Sequence, residues 1–200
     1  MTNAASLGGI VLCGGRSSRM GTPKATLPFD GETLLERVVR RLSLAVETVV
    51  VVAARGQELP TLPPEVTVVR DRREFRGPLE GLAGGLAALS GRCEAAFATG
   101  CDAPFLRPEF VRRVLQLLEE NDVAVPRAGG FLQPLAAAYR MTVRPALDEL
   151  LAADMLRPAF LFERVRVREI AVEELIDVDP QLESLRNLNW PEDYRQALEG

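Results

Sequence analysis

Four consecutive valines, Val49 to Val52, form the centre of the stretch Thr48–Ala53. An unbroken run of β-branched apolar residues suits a strand covered on both faces, because no position is left to face water. Such strands belong to parallel sheets packed between helices. The surrounding chain keeps to that pattern. Glu32 to Ala45 carries Leu34, Leu35, Val38, Val39 and Leu42 at helical spacing. Strands are expected at Gly9–Cys13, Val66–Val69, Ala95–Thr99 and Val123–Pro126, with one or two more between Gly129 and Arg140. Edge strands are expected at Val165–Ile170 and Ile176–Val178. Helices are expected from Pro78 to about Ser90, over Pro108–Glu120, Pro145–Ala153 and Arg157–Phe162, and after Asn187–Tyr194. Strands that alternate with helices define an α/β fold with a mainly parallel sheet, here a single domain over residues 1–200.

Ligands of such sheets lie beyond the carboxyl ends of the strands. The first strand runs straight into a polar, glycine-bearing loop, IVLCGGRSSRMGTPK, from Ile10 to Lys24. Gly14, Gly15 and Gly21 let the backbone turn tightly and offer its N–H groups to an anion. Arg16, Arg19 and Lys24 add positive side chains, so the loop reads as a polyphosphate cradle. Lys24 is the only lysine, and the rest of the 24 basic residues are arginine. A compact ammonium fits a tight phosphate site that excludes a planar guanidinium. The plain alternative is a surface lysine. The loop is not a Walker A motif, since Pro23 precedes Lys24 and Ala25 follows it, and it lacks the dinucleotide spacing of glycines.

Composition removes several classes of chemistry. Histidine is absent, so no Ser-His-Asp triad, Cys-His nucleophile or histidine-ligated metal can operate. Phosphoryl and nucleotidyl transfer remain open, because they depend on positioning and charge neutralisation. A net charge of −4 argues against nucleic acid as a partner. Three cysteines, Cys13, Cys93 and Cys101, without CxxC spacing fit a reducing compartment and small apolar fillers. No signal peptide and no membrane-length apolar run are evident, so a cytoplasmic protein without membrane attachment is expected. A monomer is the default, as the exposed faces show no heptads.

Two acidic residues fall at expected strand ends. Asp102, in TGCDAPFL, suits Mg²⁺, which takes one or two protein oxygens plus water and substrate phosphates. Its alternative is a turn or cap before Pro104. Asp71, in RDRREFRGPLEGL, is the second candidate, with an ordinary surface pairing to Arg72 or Arg73 as its alternative.

Taken together, LCGGRSSRMGTPK, RGPLEGL, CDAPFL, QPLAAAY and NLNWPEDY resemble the molybdenum cofactor guanylyltransferases, within the MobA-like nucleotidyltransferases. The order and spacing hold from residue 9 to the C-terminus. The second glycine of the CGG step, Gly15, and the terminal N-x-N-x-PED pattern favour the guanylyl branch, since related cytidylyltransferases usually carry Ala-Ala-Gly at 13–15. The resemblance implies a Rossmann-like three-layer fold of the nucleotide-diphospho-sugar transferase type, with GTP as donor and Mg²⁺. The implied reaction joins GMP to the terminal phosphate of molybdenum-molybdopterin and releases pyrophosphate. A related enzyme using CTP or another phosphorylated acceptor is the alternative.

The same resemblance maps nucleotide contacts onto Leu12, Cys13, Gly14, Gly15, Lys24, Asp71 and Asp102, with Asp102 also holding the metal. Arg19, Lys24 and Asp102 become the catalytic set. Gly21, Gly77 and Gly81 match recurrent positions. Gln133, Arg157, Asn187 and Asn189 fall on the acceptor side, and transient contact with other cofactor-biosynthesis proteins is implied. Three departures stand out. Some members carry Asn where this chain has Val52, Ala53 and Ala54. Many have Asp where this chain has Pro23. Trp190 replaces a usual Thr, and its indole is expected either to stack on the pterin or to pack the last helix.

Overall fold

A computed structural model describes residues 6–14, 23–71 and 76–199. In chain order its elements are β1 (Leu7–Leu12), β2 (Pro28–Phe29), β3 (Glu32–Thr33), α1 (Leu34–Ser43), β4 (Thr48–Ala53), β5 (Thr67–Arg70), α2 (Pro78–Leu89), β6 (Ala95–Gly100), α3 (Pro108–Gln116), β7 (Val123–Ala128), β8 (Phe131–Leu132), β9 (Ala136–Arg140), α4 (Arg144–Ala152), α5 (Pro158–Phe162), β10 (Val167–Ala171) and α6 (Pro191–Glu199). The main sheet runs β10-β7-β9-β6-β1-β4-β5, with β8 paired to β7, and β2 and β3 form a separate hairpin. β1 pairs in parallel with both β4 and β6. β9 is antiparallel to β6 and β7, so the sheet is mixed with a parallel centre.

The valine run is a central strand, as its composition demands. Val49, Val51 and Ala53 join Val11, Leu35, Val38, Val39 and Leu42 in one core, with Phe97 and Phe110 beside them. Val50 and Val52 face the other way, into a core with Ile10, Leu12, Leu79, Leu82, Leu86 and Tyr139. The sheet therefore sits between two helical layers, α1 with α3 and α2 with α4. α2 approaches β1 closely through small residues: a Cβ at Gly85 would lie 2.6 Å from Ile10 Cγ2.

Several boundaries differ from the sequence expectation for physical reasons. α1 begins at Leu34 rather than Glu32, because Thr33 is the N-cap. Its hydroxyl accepts from the Glu36 N–H, and the Glu36 carboxylate accepts from the Thr33 N–H. α3 stops at Gln116 rather than Glu120. The next residues turn, with Glu119 at φ 43° and Asn121 N–H bonded to the Leu118 carbonyl at 2.8 Å, and feed directly into β7. The edge strand expected at Ile176–Val178 is a turn. Its apolar look arises because Leu175 is buried while Ile176 is exposed. The buried Asp179 carboxylate organises the succeeding turn, accepting from the Glu183 and Ser184 N–H groups at 3.1 and 2.8 Å.

Candidate functional site

The strand order reverses direction at β1. The next strand in the sequence's parallel half, β4, lies on one side, and β6 lies on the other. A crevice beyond the strand ends at such a switch point is where α/β sheets hold ligands. The strand tips there are stitched together. Cys13 N–H donates to the Val52 carbonyl at 2.8 Å, Cys101 N–H to the Leu12 carbonyl at 3.0 Å, and Asp71 N–H to the Ala53 carbonyl at 2.9 Å. Leu12, Cys13, Gly14, Asp71 and Asp102 are thereby held along one edge.

Glycine sets how closely these tips approach. A Cβ at Gly14 would sit 2.7 Å from Asp71 Oδ2, so the ends of β1 and β5 are in contact through that position. A Cβ at Gly100 would overlap Asp102 Oδ1, so the Asp102 carboxylate folds back over its own strand end. Lys24 opens a short 3-10 turn, Lys24–Thr26, and its Nζ lies 2.7 Å from Asp102 Oδ2. Both side chains are largely shielded, 17% and 20% exposed, so the pair is screened less than a surface salt bridge. Lys24 Nζ also donates to Asn189 Oδ1 at 3.1 Å.

The segment that brings in Asn189 is anchored from below. Leu188 is fully buried with Phe29 and Leu34, against Phe105 and Tyr194. Phe29 and Phe105 meet edge to face, with centroids 5.8 Å apart. The Leu188 N–H donates to the Asp102 carbonyl at 2.8 Å. Asp193 accepts from both the Asn189 and Trp190 N–H groups, at 3.1 and 2.9 Å, and so caps the start of α6. The C-terminal segment is thus fastened directly to the aspartate at the end of β6.

Cys13 and Cys101 directly follow β1 and β6, and both are buried. A hydrogen bond between the two thiols and burial together push the Cys13 thiol well above its usual range. A neutral, shielded thiol fits the apolar filler expected from the sequence.

The structure also supplies a residue that no sequence motif singles out. Gln57, in the loop after β4, accepts from the Ala54 N–H at 3.0 Å and donates to the Cys13 carbonyl at 3.2 Å. Arg70 reinforces the same loop, donating to the Ala54 and Gln57 carbonyls at 3.1 and 2.8 Å. Gln57 therefore stands at the strand end where the sequence lacks an Asn at 52–54. No periodic signal marks it, because its partner is 44 positions away in the chain.

Not every expected residue joins this centre. Gly15, Arg16, Arg19 and Gly21 lie outside the described residues. Gln133 donates to the Ala128 and Phe131 carbonyls within its own hairpin. Arg157 flanks α5, where Leu156 lies beside Gly77 at the start of α2. Among the described residues no hydrogen bond or ion pair links Gln133 or Arg157 to Lys24, Asp102 or Asn189. Asn187 is half-buried two positions before Asn189.

The donor set suits a hard divalent ion. Among the described residues no group of three or more Cys, Asp or Glu side chains gathers into a protein cage. A single carboxylate beside an amine, Asp102 and Lys24, fits an ion that keeps water and phosphate ligands. No described helix is long and apolar enough to cross a membrane.

A three-layer α/β sheet with a glycine turn, one amine and one carboxylate at its switch point defines a nucleotide-binding protein of the nucleotidyltransferase type. Residues 9–167 match the MobA-like NTP transferase domain, and the chain belongs to that family. A probable molybdenum cofactor guanylyltransferase of Pelotomaculum thermopropionicum is 36% identical over 193 residues, covering 94% of this chain and 90% of that protein. The molybdenum cofactor guanylyltransferase of Desulfosudis oleivorans is 32% identical, covering 94% and 93%. Molybdopterin-guanine dinucleotide biosynthesis protein A from Archaeoglobus fulgidus has the same fold, with a TM-score of 0.80 at 22% identity, covering 96% and 97%.

Proposed function

We propose that this protein transfers GMP from GTP to molybdenum-molybdopterin and releases pyrophosphate, yielding the guanine dinucleotide form of the cofactor. The observation that carries the reading is the Lys24–Asp102 contact, which joins the cradle after β1 to the tip of β6. The sequence relatives point to the same reaction, through the names they bear.

In this reading the nucleoside lies over β1, β4 and β5, against Leu12, Cys13, Gly14 and Asp71. Its α-phosphate lies at Lys24 and Asp102. The acceptor's terminal phosphate enters from the side of Asn187 and Asn189, with Gln133 and Arg157 further along that rim. A phosphate oxygen of the acceptor forms a new bond to the α-phosphorus, and the bond from that phosphorus to the bridging α–β oxygen breaks. The electron pair leaves with pyrophosphate. The attacking oxygen is already anionic, so no base is required, which agrees with a chain that has no histidine.

Lys24 balances the charge that grows on the departing pyrophosphate, a role the family resemblance also gives to Arg19. Asn189 and Asp102 together position the Lys24 ammonium. Asp102 is the residue to hold Mg²⁺, which supplies charge neutralisation at the transferring phosphoryl group. The setting is cytoplasmic, the unit a monomer, and other cofactor-biosynthesis proteins are transient contacts.

The test is direct. Protein incubated with Mg²⁺, GTP and molybdenum-molybdopterin should form the dinucleotide and pyrophosphate in equal amounts. Preference for CTP would move it to the cytidylyl branch. GTP consumption unaffected by molybdopterin would reject the acceptor.

A further inference from the structure

Asn189 lies exposed on the segment before α6, yet its amide oxygen meets the Lys24 ammonium at 3.1 Å. An ammonium only donates, so the amide must turn its oxygen, not its NH2, toward Lys24. An exposed side chain keeps such a place only where the backbone beneath it is fixed. Three successive N–H groups supply that support. The Leu188 N–H donates to the Asp102 carbonyl at 2.8 Å. The Asn189 and Trp190 N–H groups both donate to one oxygen, Asp193 Oδ2, at 3.1 and 2.9 Å. Asp193 is the third residue of α6, and its side chain reaches back over the helix start, as the acidic member of a capping box does.

The neighbouring residue fastens the other partner. The Tyr194 hydroxyl donates to the Pro28 carbonyl, and its ring stands 6.4 Å from that of Phe29, centroid to centroid. Lys24 lies one short turn before Pro28, and the Leu27 N–H closes that turn on the Lys24 carbonyl at 3.2 Å. The first turn of α6 therefore grips both segments that meet at the ammonium, one through Asp193 and the other through Tyr194. Docking of α6 does not depend on Asp193 alone, because Leu188, Tyr194 and Ala197 pack with Phe29, Leu34 and Phe105.

We infer that Asp193 is a positioning residue for Lys24, acting through the Asn189 backbone to set the amide oxygen against the ammonium. This rests on the reading proposed above, in which Lys24 stabilises the departing pyrophosphate. Because a single oxygen takes both N–H groups, a neutral amide oxygen can stand in for it.

Lys24 is the only lysine, so protein labelled with ¹⁵N-lysine carries one side-chain ammonium resonance. In substrate-free protein Asp193→Ala should shift that resonance and quicken its exchange with water. Asp193→Ser, too short to reach both N–H groups, should act in the same way, whereas Asp193→Asn should stay near the wild-type position. Asn189→Ala should shift the resonance too. Adding Asp193→Ala to it should change nothing further, since the two act through one contact. In turnover assays Asp193→Ala should lower kcat about tenfold, within the roughly hundredfold that a displacement of about 1 Å can cost, while the acceptor KM holds. Asp193→Asn should recover most of that loss. Circular dichroism and thermal melts separate these effects from loss of the fold. An unmoved resonance in Asp193→Ala and Asp193→Ser, with only a lower Tm, would make the residue a helix cap alone and overturn the inference. So would additive shifts in the double variant, or a raised acceptor KM with kcat unchanged. Failure of the functional reading looks different: the wild-type protein then transfers no GMP to molybdopterin, yet its ammonium resonance still responds to Asp193→Ala.

Discussion

Lys24 Nζ lies 2.7 Å from Asp102 Oδ2, so the ammonium of the only lysine and the carboxylate at the tip of β6 are in direct contact. On the proposed function, a triphosphate entering between them would exchange one anionic partner of Lys24 for another. The amine is held by Asn189 at 3.1 Å and by the shielded carboxylate at 2.7 Å. A guanidinium keeps the charge but is wide, planar and demands a fork of acceptors. Lys24→Arg should therefore lower kcat at least about tenfold, and Lys24→Ala by about a hundredfold or more, as when a preorganised donor to a developing anion is lost. Steady-state assays with GTP varied at saturating acceptor measure this. Wild-type turnover in Lys24→Arg would dispose of the argument from shape.

The carboxylate itself is placed by a missing side chain. At Gly100 a Cβ would overlap Asp102 Oδ1. The backbone at that point is a fully paired strand, with Gly100 opposite Leu12, so the strain falls on the carboxylate rather than on the sheet. Gly100→Ala should leave the fold intact by circular dichroism yet displace Asp102, raising the Mg²⁺ concentration needed for half-maximal rate. Asp102→Asn should do the same more strongly. If Gly100→Ala titrates with Mg²⁺ like the parent, the aspartate has room to spare and does not govern the metal requirement.

The parts of the molecule legible in the sequence are those where local pattern and tertiary role agree. Thr48–Ala53 is read to the residue because every position after Thr48 is buried and the whole run is β-branched or small and apolar beyond it. Pro108 and Pro78 mark their helix starts because proline at the first turn sacrifices no hydrogen bond. Motif and position mark Lys24, Asp71, Asp102 and Asn189, and the fold brings Lys24, Asp102 and Asn189 into direct contact. Long-range geometry is not legible in the same way. Nothing in AARGQE signals that Gln57 reaches the Cys13 carbonyl, and nothing in Ile176–Val178 signals that a buried Asp179 turns the chain there. Both depend on partners that only the assembled sheet supplies.

Gln57 gives a prediction about the nucleotide. Its amide closes the loop after β4 onto the end of β1 through two hydrogen bonds, to Ala54 N–H and the Cys13 carbonyl. Gln57→Leu leaves a donor and an acceptor without their partner, a loss of about 1–3 kcal/mol where no water replaces it. Since Cys13 is assigned to the nucleotide, the KM for GTP should rise about fivefold to tenfold, within that energy range. The acceptor KM should hold. Gln57→Glu keeps the oxygen facing Ala54 but loses the donor to Cys13, so its effect separates the two bonds. An unchanged GTP KM in both variants would make Gln57 a loop fastener with no bearing on the nucleotide.

Asp122 contributes to the acid limit of the fold. It sits at the start of β7, and its side chain is 18% exposed. Oδ1 accepts from the Thr142 hydroxyl at 2.8 Å, and Oδ2 accepts from the Arg166 N–H at 3.1 Å and from Arg166 Nε at 3.4 Å. Partial burial works to raise its pKa, but the Arg166 N–H, the Thr142 hydroxyl and the Arg166 charge together outweigh it, and the net shift is downward. A carboxyl that ionises more readily in the folded state stabilises the fold above its unfolded pKa, ordinarily about 3.9. That contribution fades as pH falls through the folded value, when the protonated group can no longer accept from all its donors. Asp122→Asn retains the shape but turns an amide toward Arg166 and carries no charge. It should lower Tm by several degrees near neutral pH, as a loss of about 1–3 kcal/mol does in a chain of this length. The gap between variant and parent should narrow as the pH drops below about 4, where the unfolded aspartate protonates, and close once the folded parent is protonated too. Thermal melts from neutral to acid pH follow both curves, and a gap that stays constant across that range would show that the Asp122 charge is not what ties β7 to β10.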